Sequence, residues 1–345
     1  MQIFSNKCKV NGAKNNFEMS AKLKFEEAIV SGIAGDTKSA IRRAKVIINS
    51  ITNFKSIQET QIPEVDSLLA ETYLQCGRWL MDYKIDSAAV ILNEFLKPAA
   101  EEAKKIHEQR SKSTCSLLSS SCFTLGDFVA NLYDTIERRV QSHEWKVAGL
   151  AADNRSKELA KCEALLQEKK KLYASEDKRL KKNKAKILNG IEREYKDIAV
   201  HTNSIRREVQ MDTKERDSVE ASLNSYLSSA ISSFGTALAH CDYTSDNSKY
   251  LFRMISLWFR YKPGVVDSNN INTLIGKLLQ EIPSFRFIPL IYQLFSRIDI
   301  ADDSTSSQKI GTQNTSPFQS VLQNLVSRIC IDHPYHSLLQ LLGKI

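Results

Sequence analysis

The feature that most constrains this chain is the spacing of its apolar residues. Val65, Leu68, Leu69, Thr72, Cys76, Trp79, Leu80 and Tyr83 fall at steps of three and four. That spacing lines one face of an α-helix. Pro63 stands just before the run, and Glu64 and Asp66 sit in its first turn, where the helix dipole favours negative charge. After a short link from Lys84 to Asp86, Ser87 can cap a second helix. That helix carries Val90, Ile91, Phe95, Leu96, Ala99, Ala103 and Ile106, and Pro98 should kink or split it. Two such helices joined by a few residues form an antiparallel hairpin of the tetratricopeptide type.

The same period recurs along most of the sequence. Phe25, Ala28, Ile29 and Ile33, then Ile41, Ala44 and Ile48, suggest another helix pair punctuated by Gly32 and Gly35, with residues 1–20 expected to be poorly ordered. Ser111 to Ser121 reads as a Ser-rich linker, after which Leu125, Phe128, Val129, Leu132, Ile136 and Val140 resume the stripe. Val219, Leu223, Tyr226, Leu227, Ile231, Phe234 and Leu238 form a strong one. Four shorter helices follow, at residues 250–258, 271–282, 287–298 and 318–329, with prolines near their ends. A last helix starts at His336. Residues 301–316 hold almost no apolar side chain and read as a mobile loop. Strand alternation is missing, and 12 Gly and 7 Pro in 345 residues are too few for the turns of an all-β chain. The expected fold is all-α: an α-solenoid of stacked tetratricopeptide/HEAT-like helix hairpins, with one long charged helical arm.

That arm concentrates the charge. Of a formal net charge of +8, the stretch Lys161–Lys196 supplies +6 and the other 309 residues only +2. Leu159, Leu166, Tyr173, Leu180 and Ile187 recur every seven residues, while the second heptad position is mostly polar. Such a stripe suits a helix pressed on one neighbour and wet elsewhere. Asn189-Gly190 is a candidate break. The run Lys178, Arg179, Lys181, Lys182, Lys184 and Lys186 has three readings: a solvated helix face, a nuclear-import signal, or a phosphate contact to nucleic acid. Only Tyr173 and Tyr195 lie near it for base stacking.

Catalytic motifs do not occur. Neither G-x-G-x-x-G nor G-x-x-x-x-G-K-[ST] is found, so no backbone loop is built to cradle phosphate. His333 and His336 could offer two imidazoles to a metal, but with Pro334 between them and no third ligand nearby they read as a polar helix start. Seven scattered Cys without a C-x-x-C read as reduced, mostly buried thiols. No apolar run is long enough to span a membrane, and Met1–Val10 lacks a signal-peptide core. The cytosol or nucleus is the expected compartment. No catalytic, cofactor-binding or metal-binding residue is assigned.

Three stretches go beyond pattern. Glu281-Ile-Pro-Ser-Phe-Arg-Phe-Ile-Pro-Leu-Ile-Tyr-Gln-Leu-Phe-Ser-Arg-Ile298 is followed by Phe318-Gln-Ser-Val-Leu-Gln-Asn-Leu-Val-Ser-Arg-Ile-Cys-Ile-Asp-His-Pro-Tyr-His336. Upstream lies Tyr73-Leu-Gln-Cys-Gly-Arg-Trp-Leu80. In this order they resemble the FAT region of the ATM (ataxia-telangiectasia mutated) family of phosphatidylinositol 3-kinase-related Ser/Thr kinases. The resemblance covers about residues 60–345 and is most specific in the last sixty. It divides the chain into N-terminal helices at 1–60, hairpin repeats at 61–143, the long basic arm at 144–212 and FAT-type helices at 213–345.

The resemblance implies a non-catalytic α-solenoid that clasps the kinase domain of the same polypeptide and takes part in a homodimer. Asp332, His333, Pro334 and His336 would face the kinase. The whole kinase would be nuclear, with some cytoplasmic presence, and would respond to DNA double-strand breaks. It would use ATP and a divalent metal to phosphorylate Ser/Thr-Gln sites on checkpoint and repair proteins. The kinase domain itself is not among these residues, so no catalytic residue carries over, and the chain reads as a fragment, a truncated gene model or a short product. Two other readings stand beside this one: a free-standing helical-repeat adapter, and a basic helical protein that binds nucleic acid.

Overall fold

The computed structural model describes residues 2–57, 63–109, 115–179, 185–242, 247–260, 268–298 and 316–342. Their regular structure is helical throughout, with no strand among the described residues. Two compact units are formed: Met1–Asn131 with Tyr226–Ile345 (unit 1), and Leu132–Ser225 (unit 2).

Unit 1 opens with α1 (Gln2–Ile33) and α2 (Thr37–Ile57). Helical backbone therefore starts at Gln2, earlier than the sequence pattern indicates. Gly35, at φ +88°, makes the turn between them, a conformation that costs other residues energy. Asp36 then caps α2 through the Ser39 N–H at 3.2 Å. The Ser39 hydrogen bonds hold the Asp36 carboxyl below its usual pKa. Phe25, Ala28, Ile41, Ala44 and Ile48 are buried, but Ile33 is exposed.

Helix α3 (Pro63–Tyr83) buries the expected stripe from Val65 to Leu80, while Tyr83 points to solvent. Lys84, at φ 50°, turns the chain. Ser87 accepts from the Val90 N–H and caps α4 (Ala88–Val90). Next comes a π-helical segment, Ile91–Leu96, in which the Lys97 N–H reaches back to Leu92 O. Helix α5 (Lys97–Gln109) continues from it. The expected disturbance at Pro98 takes the form of a π turn followed by a new α-helix. The wider π turn falls just before the proline, so the residue that cannot donate follows a ladder already shifted by one carbonyl. Gly77 lets this second layer approach, because a Cβ there would lie 2.7 Å from Leu96 Cδ2.

Helix α6 (Cys115–Gln141) overturns the expected linker from Cys115 onward: Ser116 to Ser121 are helical, and Ser119 and Ser121 are buried, while residues 111–114 lie outside the described residues. Small hydroxyl side chains fit a tight helix contact where a polar-looking run suggested a loop. Helix α8 (Ala185–His240) contributes Leu227, Ile231, Phe234 and Leu238 to the core of unit 1. Helices α9 (Ser248–Arg260) and α10 (Ser268–Glu281) follow. The fully buried Trp258 donates its indole N–H to Asn272 Oδ1 at 3.0 Å, joining the two.

The helix expected at 287–298 is two pieces: a 3₁₀ helix, Ser284–Leu290, then α11 (Ile291–Ser296). Pro283 and Pro289 explain this, because each removes a donor that a continuous α-helix would use. Helix α12 (Pro317–Asp332), capped by Ser316, and α13 (Pro334–Leu342) complete the unit. Apart from Ser316, the expected loop at 301–316 lies outside the described residues.

Unit 2 is built on α7 (His143–Arg179) and the first part of α8. The two run antiparallel, tied by ion pairs between Arg155 and Asp212 (2.7 Å), Glu163 and Arg206 (2.7 Å), and Lys169 and Glu194 (2.7 Å). Each such solvent-accessible pair contributes roughly 0–1 kcal/mol. Leu159 and Leu166 are half-buried and Leu165 and Leu172 are exposed, so the stripe is narrow at these positions; the side chains of Tyr173, Leu180 and Ile187 lie outside the described residues. Helix α8 runs unbroken through Asn189-Gly190, correcting the expected break.

Candidate interaction surface at the α12–α13 turn

The four residues Asp332, His333, Pro334 and His336 meet at one turn. His333 ends α12 with φ −136° and ψ 60°, a non-helical conformation that Pro334 then favours by opening the next helix. The His333 backbone N–H donates to Ile329 O at 2.8 Å. Its Nε2 lies 3.0 Å from the hydroxyl of the buried Ser284, on the 3₁₀ helix. From the other side, the buried Ser337 hydroxyl donates to His333 O at 3.1 Å. His333 is thus a clasp between three helical segments. Asp332 is exposed and sits 3.6 Å from Arg328 Nε one turn earlier on α12. His336 is exposed, and its backbone N–H donates to His333 O at 3.2 Å.

Two arginines that the sequence reading left without a role hold the neighbouring helix ends. Arg328 Nη1 donates to Leu279 O at 2.6 Å and to Gln280 O at 3.3 Å, covering carbonyls left over at the end of α10. Arg286 does the same for α8, through Cys241 O at 3.0 Å. Both belong to the stretches that carry the family resemblance. Their partners lie over 40 residues away, so no local pattern could show the pairing.

Beside this clasp is an apolar face open to solvent. Ile331 is 78% exposed, Tyr335 94%, Leu338 53% and Leu342 61%. Tyr335, Leu338 and Leu342 follow at steps of three and four, so they share one side of α13. A groove of about 350 Å³ lies nearby between α10 and α12, lined by Thr273, Lys277, Gln280, Asn324 and Arg328 among others.

Lys178 and Arg179 fall at the end of α7 and Lys186 at the start of α8, as backbone positions only. Lys181, Lys182 and Lys184 lie outside the described residues. No helix among the described residues is long and apolar enough to cross a membrane.

Helix packed on helix with no strand among the described residues defines an all-α solenoid. No protein-family model matches the chain. It is 25% identical over 320 residues to Serine/threonine-protein kinase ATM of Arabidopsis thaliana, covering 93% of this chain and 7% of that protein. It is 24% identical over 282 residues to Serine-protein kinase ATM of Sus scrofa, covering 81% and 8%. Among solved structures, the open conformation of CtTel1 matches with a TM-score of 0.55 at 19% identity, over 92% of this chain and 9% of that one. The FAT and kinase domain of CtTel1 matches with a TM-score of 0.54 at 19% identity, over 92% and 17%. These structures share the helical fold. The homologues of this chain are thus ATM and Tel1 kinases, the chain is an ATM-like segment, and the FAT region is consistent with the match. It spans less than a tenth of the length of these two ATM relatives.

Proposed function

We propose that this chain is a non-catalytic FAT-type scaffold of an ATM-like Ser/Thr kinase, and that it holds the kinase domain of its own polypeptide. The observation that carries this reading is the exposed face of Tyr335, Leu338 and Leu342 beside the His333 clasp. Uncovered apolar residues on a rigid mount are what a docking surface needs. The exposed Asp332 and His336 form its polar rim, with Pro334 between them fixing the turn. The homodimer is part of the same proposal, supported by the C2-symmetric dimer reported for CtTel1. So are the activities of the whole kinase: response to DNA double-strand breaks in the nucleus, and phosphorylation of Ser/Thr-Gln sites on checkpoint and repair proteins with ATP and a divalent metal.

The test is to tag the natural polypeptide that carries this sequence, purify it, and assay ATP-dependent phosphorylation of a Ser-Gln peptide beside the bare 345-residue chain. The tagged polypeptide is expected to be active and the bare chain inactive. Activity of the bare chain would refute a purely scaffolding role.

A further inference from the structure

Two imidazoles meet at one corner of unit 1, where α5 and α8 end. His107 stands in the last turn of α5, and His240 is the last residue of α8. Their ring centroids are 4.6 Å apart and the ring planes cross at 83°, an edge-to-face contact. Both residues are half-buried. His240 Nδ1 lies 2.9 Å from Thr236 O. A carbonyl only accepts, so Nδ1 carries the hydrogen and donates it, which fixes the tautomer of the neutral ring. Nε2 is then the nitrogen at which this ring gains a proton.

Two effects of opposite sign act on this corner. Each ring sits at the C-terminal end of its helix, where the last carbonyls favour a cation. One proton on the pair is therefore accommodated. Two protons place like charges 4.6 Å apart. Even at the dielectric of water, that separation weakens binding of the second proton about fourfold, and half-burial strengthens the effect. On α5, Glu108 adjoins His107 in sequence and favours its charge, while Lys104 carries the opposite sign one turn earlier. Beside the end of α8 stand Asp242 and Arg286, whose Nη2 donates to Cys241 O at 3.0 Å and to Asp242 O at 3.3 Å. Of the charged groups on other helices, His240 is the one that acts on His107 among the described residues. Burial first, and then the His240 charge, hold His107 below its ordinary 6.5, while Glu108 acts the other way. A base held low in this way contributes its folded contact in full above pH 6.5, and the contribution is lost as pH falls below that toward the folded value.

We propose that His107 and His240 form a proton-sensitive contact between the ends of α5 and α8. Neutral or singly protonated, the two rings stay in contact. The second proton drives them apart and frees the last turn of α5, so the corner opens in mildly acidic solution and closes at neutral pH. Imidazole is the side chain whose charge changes in that range. This contact is separate from the α12–α13 face and does not depend on the reading given to it.

The test uses the full chain labelled with ¹⁵N-histidine. The ring resonances of His107 and His240 are assigned by their loss in His107→Gln and His240→Gln. Each ring is then titrated from about pH 8 to about pH 5 at low salt. His240→Gln is expected to strengthen proton binding at His107 at least about fourfold, read as a midpoint raised by roughly 0.6 pH units. Amide exchange in the last turn of α5, corrected for its intrinsic pH dependence, should accelerate at the acid end in the wild type and not in His240→Gln. An unchanged His107 midpoint, or the same acid-end exchange in both proteins, would overturn the proposal. If His240→Gln does not fold, His107→Gln answers the same question: the His240 midpoint should rise in that variant, and an unchanged midpoint overturns the proposal.

Discussion

Replacing Gly126 by Ala tests the packing of unit 1 at a tight helix contact. The new methyl would lie 2.8 Å from both Cδ1 and Cε1 of Phe234, and 3.2 Å from its Cγ. Phe234 is fully buried, and its ring centroid is 5.9 Å from that of Tyr250. A planar ring cannot bend out of the way as the tip of a flexible side chain can, so the helices must separate. Overpacking of this kind costs ~1–3 kcal/mol. Ala improves the helix by ~1 kcal/mol over Gly. With the rigid ring placing the cost in its upper range, the net loss is ~1–2 kcal/mol, or a melting temperature lowered by ~2–8 °C for a unit of this size. The control is Gly149→Ala on α7, where the added methyl meets only Arg216 Nη2 at 3.5 Å. There the propensity gain stands alone, and stability should rise by up to ~1 kcal/mol. Urea unfolding followed by tryptophan fluorescence separates the units, because Trp79 and Trp258 report on unit 1 and Trp145 on unit 2. A Gly126→Ala protein as stable as the wild type, or stabilised like Gly149→Ala, would refute the reasoning.

Other substitutions probe the remaining contacts. Lys55 joins α2 to α3 and α5 through Asp66 Oδ1 at 2.7 Å and Glu102 Oε2 at 3.0 Å, and Asp66 is only 8% exposed. Lys55→Met strands that carboxylate, and chemical denaturation should show a loss of ~1–3 kcal/mol. Burial alone would raise Glu102 and lower Lys55. Hydrogen bonds from Lys105 and Lys55 outweigh it at Glu102, and those to Asp66 and Glu102 outweigh it at Lys55. The Glu102 carboxyl is therefore held below its ordinary 4.5, and its contribution is present above that pH and lost as pH falls through the lower folded value. Lys55 is raised above 10.5, so its contribution is full below that pH and lost as pH rises through the folded value. Stability measured against pH should fall on both flanks, and Lys55→Met should flatten the alkaline one. Burial pushes the Cys76 thiol up to about 12 and the Cys122 thiol up to about 11. Peptide mapping after alkylation of folded protein at neutral pH should therefore find Cys76 and Cys122 unmodified when the half-buried Cys162 and Cys330 are already labelled; early labelling of Cys76 would contradict its burial. Ser284→Ala removes the partner of His333 and should cost ~1 kcal/mol, with faster amide exchange in α13. His336→Ala should change neither.

The helices were legible in the sequence because amphipathic spacing at Val65–Leu80 or Leu227–Leu238 needs no distant information. Ser87 was legible as a cap for the same reason. The failures share a cause. Ser119 and Ser121 looked like linker because hydroxyl side chains carry no apolar signal, yet helix contact buries them. Pro98 and Pro289 marked a disturbance without revealing its form, because a π turn and a 3₁₀ helix are both local answers to a missing N–H. At the candidate surface, Asp332, His333, Pro334 and His336 stood out by their letters. Ser284 and Arg328 did not, since what they hold is set by partners 49 residues away. The exposed face of α13 was visible only in part: the apolar period was plain, but its lack of cover is a tertiary fact.

The central claim is that this helical segment holds a kinase domain through the α12–α13 surface. The direct measurement is the affinity of the full chain, and of its Leu338→Asp variant, for the kinase domain of the natural polypeptide that carries this sequence. The account predicts a defined complex with wild type, and binding weakened at least about tenfold in Leu338→Asp, because a charge replaces a buried apolar contact. No complex with wild type, or equal affinity for both chains, would contradict it.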